Sequence, residues 1–68
     1  MNITELTPKQ LEDICRASGY RNVRIRLCTF LGYTKHDHAI YKCVFADIDD
    51  TVGNIYVREY EDKFTMEF

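Results

Sequence analysis

Leu11-Glu12-Asp13-Ile14-Cys15-Arg16-Ala17-Ser18-Gly19-Tyr20-Arg21-Asn22-Val23-Arg24-Ile25-Arg26-Leu27 decides the fold, because the spacing of apolar residues changes within it. Leu11, Ile14 and Cys15 fall at i, i+3 and i+4, with Ser18 at i+7, the spacing of one buried helix face. Beyond Gly19 the period becomes two: Val23, Ile25 and Leu27 alternate with Arg24 and Arg26, as in a half-buried strand. No second helical pattern follows, so one helix has to cover a whole sheet.

The residues before Leu11 sharpen the helix start. Thr7 fits the N-cap, Pro8 the first helical position and Gln10 the third, which makes a Thr-x-x-Gln capping box, with Leu6 and Leu11 as a hydrophobic staple. Gly19 suits the left-handed position past the helix end. The helix is expected over residues 8–18, with Lys9, Glu12, Asp13 and Arg16 facing water.

Downstream, the first strand runs from Val23 through Leu31 and stops at Gly32, and residues 33–38 form a polar hairpin loop. Ile40 to Ala46 is a second strand, 47–53 an acidic turn, 54–60 a third strand, and residue 63 to the chain end a fourth. The pairing that gathers most apolar side chains on one face groups Ile25 and Leu27 with Tyr41, Cys43 and Phe45, and Ile55 and Val57 with Phe64, Met66 and Phe68. The opposite face then carries Arg24, Arg26, Phe30, Lys42, Val44, Tyr56, Arg58, Tyr60 and Thr65. The expected fold class is α+β: one N-terminal helix packed on a four-stranded antiparallel sheet, two layers in α-β-β-β-β order.

A chain of 68 residues has room for one core and a single domain over 1–68. Its amino terminus lacks the basic and apolar regions of a secretion signal, and no apolar run reaches membrane-spanning length. Cys15, Cys28 and Cys43 are odd in number and widely spaced, so free thiols in a reducing cytoplasm are expected. The net charge of −2 is unevenly spread: residues 1–46 hold seven Lys/Arg against four Asp/Glu, and 47–68 hold two against seven. Such asymmetry can orient a partner or favour self-association.

Val44-Phe45-Ala46-Asp47-Ile48-Asp49-Asp50-Thr51-Val52 resembles the first motif of the haloacid dehalogenase phosphatases, a hydrophobic strand followed by Asp-x-Asp-x-Thr. The resemblance implies Asp47 as nucleophile, Asp49 as general acid/base, and magnesium between them. It covers nine residues, and 17 residues after Thr51 cannot supply that family's parallel sheet and later motifs, so an acidic turn is expected. Read as a calcium loop, the stretch puts Val52 where Gly is needed and Arg58 where Glu is needed. His36 and His38 offer two imidazoles, whereas zinc needs three or four ligands, and the cysteines lie on the helix and inside strands. None of the three glycines sits in a phosphate-cradling run. No enzyme activity, cofactor or metal is expected.

What remains is the uncovered sheet face. Arginine and tyrosine combine contact area with hydrogen-bonding tips and are enriched at binding hot spots, so Arg24, Arg26, Tyr56, Arg58 and Tyr60 are the candidate partner-binding residues. The expected function is a small non-enzymatic module that binds a protein or a second copy of itself. In size and style it is similar to the short inhibitors and adaptors of phages and mobile elements. The alternative is single-stranded nucleic-acid binding, with tyrosines stacking bases and arginines meeting phosphates. A pI near 5.5 disfavours it.

Overall fold

The computed structural model describes residues 2–68. Among them are one helix, α1 (Pro8–Ala17), and four strands, β1 (Ile25–Tyr33), β2 (Ala39–Phe45), β3 (Thr51–Tyr60) and β4 (Lys63–Glu67), with a 3-10 turn, η1 (Ala46–Ile48), between β2 and β3. Each strand pairs antiparallel with its sequence neighbour, giving the order β1-β2-β3-β4. With α1 packed on one face, this is the expected two-layer α+β arrangement.

The helix ends follow from the residues that make them. Thr7 Oγ1 accepts from the Gln10 amide at 3.2 Å, and Gln10 Oε1 accepts from the Thr7 amide at 2.8 Å, so the capping box is complete. At the other end the Tyr20 amide donates to the Cys15 carbonyl and the Gly19 amide to the Arg16 carbonyl, a Schellman pair that requires Gly19 at φ +100°.

One helix crosses the sheet, and it reaches both edge strands with polar side chains. Glu12 Oε2 accepts from the Ile25 amide of β1 at 2.8 Å, and Ser18 Oγ accepts from the Met66 amide of β4 at 3.0 Å. Glu12 therefore caps an edge strand instead of facing water. Each bond occupies a backbone donor that an edge strand would otherwise offer to another chain.

Leu6, Leu11, Ile14 and Cys15 meet Ile25, Ala39, Tyr41, Cys43, Phe45, Ile55, Val57 and Met66 in the core, and among the described residues the Tyr41 hydroxyl is the polar group buried with them. That hydroxyl accepts from the Leu6 amide at 2.9 Å and donates to the Ile3 carbonyl at 2.7 Å, which fastens the segment before α1 to β2.

The second hairpin has the expected register: Val57 faces Met66, Ile55 and Val57 are fully buried, and Phe64 is half-buried. Phe68 lies at the core margin, edge-on to Tyr20 at 4.9 Å and tilted against Phe45 at 5.8 Å. The first hairpin differs. Ile25 pairs with Phe45 but Leu27 pairs with Val44, so β1 carries one extra residue at Arg26. A bulge of this kind shifts everything beyond it to the other face. Leu27, expected in the core, is 61% exposed, and Phe30, expected outside, turns inward with Cys28 to pack on the core. A second irregularity lies between Phe30 and Gly32, and the strand continues through Gly32 at φ +135° to Tyr33.

The acidic turn is shorter than expected. Asp49 and Asp50 both take left-handed backbone (φ +50° and +59°) and reverse the chain by themselves, so β3 starts at Thr51. Gly53 is therefore a strand residue. Opposite Cys43, it leaves room for the Phe45 ring, whose Cε2 would lie 3.1 Å from an added Cβ.

Candidate functional site

The face of the sheet turned away from α1 is built by strand alternation, and its cross-strand rows can be read from the register. Nearest η1 is an aliphatic row, Leu27, Val44 and Val52. A polar row of Thr29, Lys42 and Asn54 follows. Further on, Ile40, Tyr56 and Glu67 align across β2, β3 and β4, with Arg58 opposite Thr65 one row beyond.

The five residues expected at a partner surface fall into two groups on this frame. Arg24 and Arg26 lie at the η1 end, whereas Tyr56, Arg58 and Tyr60 occupy the far half of β3. Val52 and Arg58 are six residues apart on one strand, about 20 Å at the usual rise.

At the η1 end the acidic turn folds back onto the arginines. The Arg24 amide donates to Asp47 Oδ1 at 3.1 Å, and the Arg24 guanidinium donates to the Val23 carbonyl at 3.2 Å. Arg26 Nη2 reaches both carboxylate oxygens of Asp50, at 2.7 and 2.6 Å. Thr51 Oγ1 donates to the Ile48 carbonyl, closing the turn. Asp47, Asp50 and Thr51 of the phosphatase-like motif thus serve the turn and its junction with β1. The sequence asymmetry of charge is partly cancelled here, because Asp50 of the second half pairs with Arg26 of the first.

At the far end, His38, Tyr56, Arg58, Thr65, Met66 and Glu67 line a cleft of about 130 Å³. Pockets for cofactors and drug-sized ligands run to about 300–1,000 Å³, so this one has room for a single side chain. Arg58 is exposed and makes no ion pair among the described residues, unlike Arg16 and Arg26. Its guanidinium lies 5.6 Å from the centre of the Tyr60 ring, and Tyr60 is 63% exposed. His38 Nδ1 is 3.8 Å from Glu67 Oε1, beyond hydrogen-bond range.

His38 and Glu67 were not among the five candidates. Glu67 shares its parity with Thr65 and could have been placed on the same face from β4 alone. His38 reaches the cleft because the loop after β1 is held by Thr34, whose Oγ1 accepts from the His36 and His38 amides. That loop geometry separates the two histidines: His36 is exposed and His38 half-buried. Among the described residues, no three His, Cys, Asp or Glu side chains lie close enough to share a metal ion. None of the described helices is long and apolar enough to cross a membrane.

None of the known family models, curated proteins and solved structures compared with this chain matches it.

Proposed function

We propose that the chain is a non-catalytic protein-binding module that engages its partner through the far half of the open face, with Arg58 and Tyr60 as anchors and Tyr56 in the cleft wall. The observation that carries this reading is the unpaired guanidinium of Arg58 beside a side-chain-sized cleft. An arginine held over an aromatic ring loses less freedom on docking than a free one, and its donors remain open to an acceptor from the partner.

This reading moves the contact surface away from the acidic turn, where Asp50 already pairs with Arg26 and Asp47 accepts from the Arg24 amide. Single-stranded nucleic acid is a poorer fit, because Glu67 lines the same cleft as Arg58 and would repel phosphate.

The test is affinity capture from the native host's lysate with the unmodified chain, Arg58→Ala, Tyr60→Ala and Arg26→Ala as baits, alongside sedimentation of the chain alone. A partner, or a self-associated form, lost with Arg58→Ala and Tyr60→Ala but kept with Arg26→Ala supports the reading. Loss only with Arg26→Ala would return the site to the η1 end. Single-strand binding that weakens steeply with salt would replace a protein partner by nucleic acid.

A further inference from the structure

Three thiols lie in or against the core, and two of them face each other. Cys28 of β1 and Cys43 of β2 are directly paired across the strands, on the face that α1 covers. Both are free, as is Cys15 on α1. Cys43 and Cys15 are fully buried, whereas Cys28, on the edge strand, is partly exposed.

We propose that Cys28 and Cys43 are a site of reversible covalent modification, closing to a cross-strand disulfide when the chain meets a low-molecular-weight disulfide such as oxidised glutathione.

The strand geometry permits the bond. Directly opposed antiparallel residues have Cα atoms about 4.5–5.5 Å apart, whichever kind of pair they form, and disulfides span about 4.4–6.8 Å. Opposed Cβ atoms lie about 4.5–5.5 Å apart and must approach to about 3.5–4.5 Å. The bulge at Arg26, two residues before Cys28, and the irregularity just after Phe30 leave β1 less tightly registered on either side of Cys28 than a regular strand would be.

Exposure gives the order of events. The Cys28 thiolate attacks one sulfur of the oxidant, forming a mixed disulfide and releasing one small thiolate. The Cys43 thiolate then attacks Cys28 Sγ and expels the second small thiolate. The two cysteines are oxidised, the small disulfide is reduced to two thiols, and the two cysteine protons pass to the leaving thiolates through solvent.

Burial pushes the Cys43 thiol up to about 12 and Cys15 to about 11, so the second step is slow at neutral pH and quickens as pH rises. The thiolate fraction of Cys43 at pH 7 is on the order of 10⁻⁵, and effective molarities of about 10⁵ M and above for well-placed neighbours offset it.

Closure also changes what Cys28 holds. Its thiol donates to the Leu6 carbonyl at 3.5 Å, and the disulfide has no proton to give. The Tyr41 hydroxyl then remains as the side-chain tie on Leu6. This couples the oxidation state to the segment that leads into α1.

The experiment incubates the folded chain with oxidised glutathione across pH 7–9, blocks remaining thiols with iodoacetamide in denaturant, and maps the bridges by mass spectrometry. The expected product has lost two hydrogens, carries a Cys28–Cys43 bridge and takes the blocking group on Cys15 alone. Its rate should rise about tenfold per pH unit, as the Cys43 thiolate fraction does. The same oxidation in denaturant should give mixed pairings. Cys43→Ala, shown folded by circular dichroism, should keep glutathione on Cys28. If that variant does not fold, the bridge map of the unsubstituted chain decides. A bridge involving Cys15, a glutathione adduct that persists on Cys28 in the unsubstituted chain even at pH 9, a linked dimer, or no reaction overturns the proposal.

Discussion

The η1 end and the cleft end of the open face carry similar side chains and differ in what those side chains have left to offer. At the η1 end, Arg26 is held by both oxygens of Asp50 and the backbone of Arg24 by Asp47. At the cleft end, Arg58 has a ring beneath it and no carboxylate partner among the described residues. An arginine already paired must break its bonds before it can bind anything else, so availability, not residue type, separates a surface that stabilises the fold from one that can recognise a partner.

The bulge at Arg26 decides which residues of β1 face outward, and it gives the largest expected effect. Phe30→Ala should destabilise the chain by about 2–3 kcal/mol through lost core packing. Leu27→Ala, exposed, should stay within about 0.5 kcal/mol. Urea denaturation measures both, and a Leu27 cost equal to that of Phe30 would remove the bulge and with it the layout of the open face.

Next in size is the contrast between the two ends themselves. Arg58→Ala should weaken partner binding by about 2 kcal/mol or more, roughly 30-fold, while leaving the denaturation midpoint unchanged. Arg26→Ala should leave the affinity as it is. Titration calorimetry of the two variants against the captured partner checks this, and equal losses would merge the two ends into one site.

A smaller effect tests whether Asp47 serves the fold. Asp47→Ala removes the acceptor of the Arg24 amide and should cost about 1 kcal/mol of stability. Asp47→Asn retains an amide oxygen and should cost less. An unchanged midpoint in both, with loss of partner binding, would make Asp47 a contact residue.

The smallest effect belongs to the Arg26 and Asp50 pair. Both side chains are about half exposed, so Asp50→Asn should cost no more than about 1 kcal/mol. That cost should shrink in 1 M salt, where screening acts over about 3 Å. A cost that salt does not touch would mean the pair is shielded from solvent, and the η1 end more rigid than its exposure suggests.

The helix and the second hairpin were legible because their signals are local. Thr7, Pro8 and Gln10 complete a cap within one turn, Gly19 supplies the left-handed residue that ends it, and the parity of Ile55, Val57 and Met66 continues without interruption. The first hairpin was legible only in part. Nothing in Arg24-Ile25-Arg26-Leu27 marks the extra residue, since a bulge arises from pairing with a partner strand. The turn residues misled in the same way: Gly53 was read as part of a turn, whereas the reversal is made by Asp49 and Asp50, and the glycine makes room for Phe45.

Sequence by itself therefore determined the element order, the α+β class and the alternation that sends Tyr56 and Arg58 outward, because each depends on periodicity or on a cap a few residues long. Tertiary structure decided which arginines are engaged, where the cleft lies and which thiols face each other. Those outcomes depend on pairs far apart in the chain, such as Arg26 with Asp50, His38 with Glu67 and Cys28 with Cys43. Such pairs are set by strand register, and a single added residue at Arg26 is enough to change it.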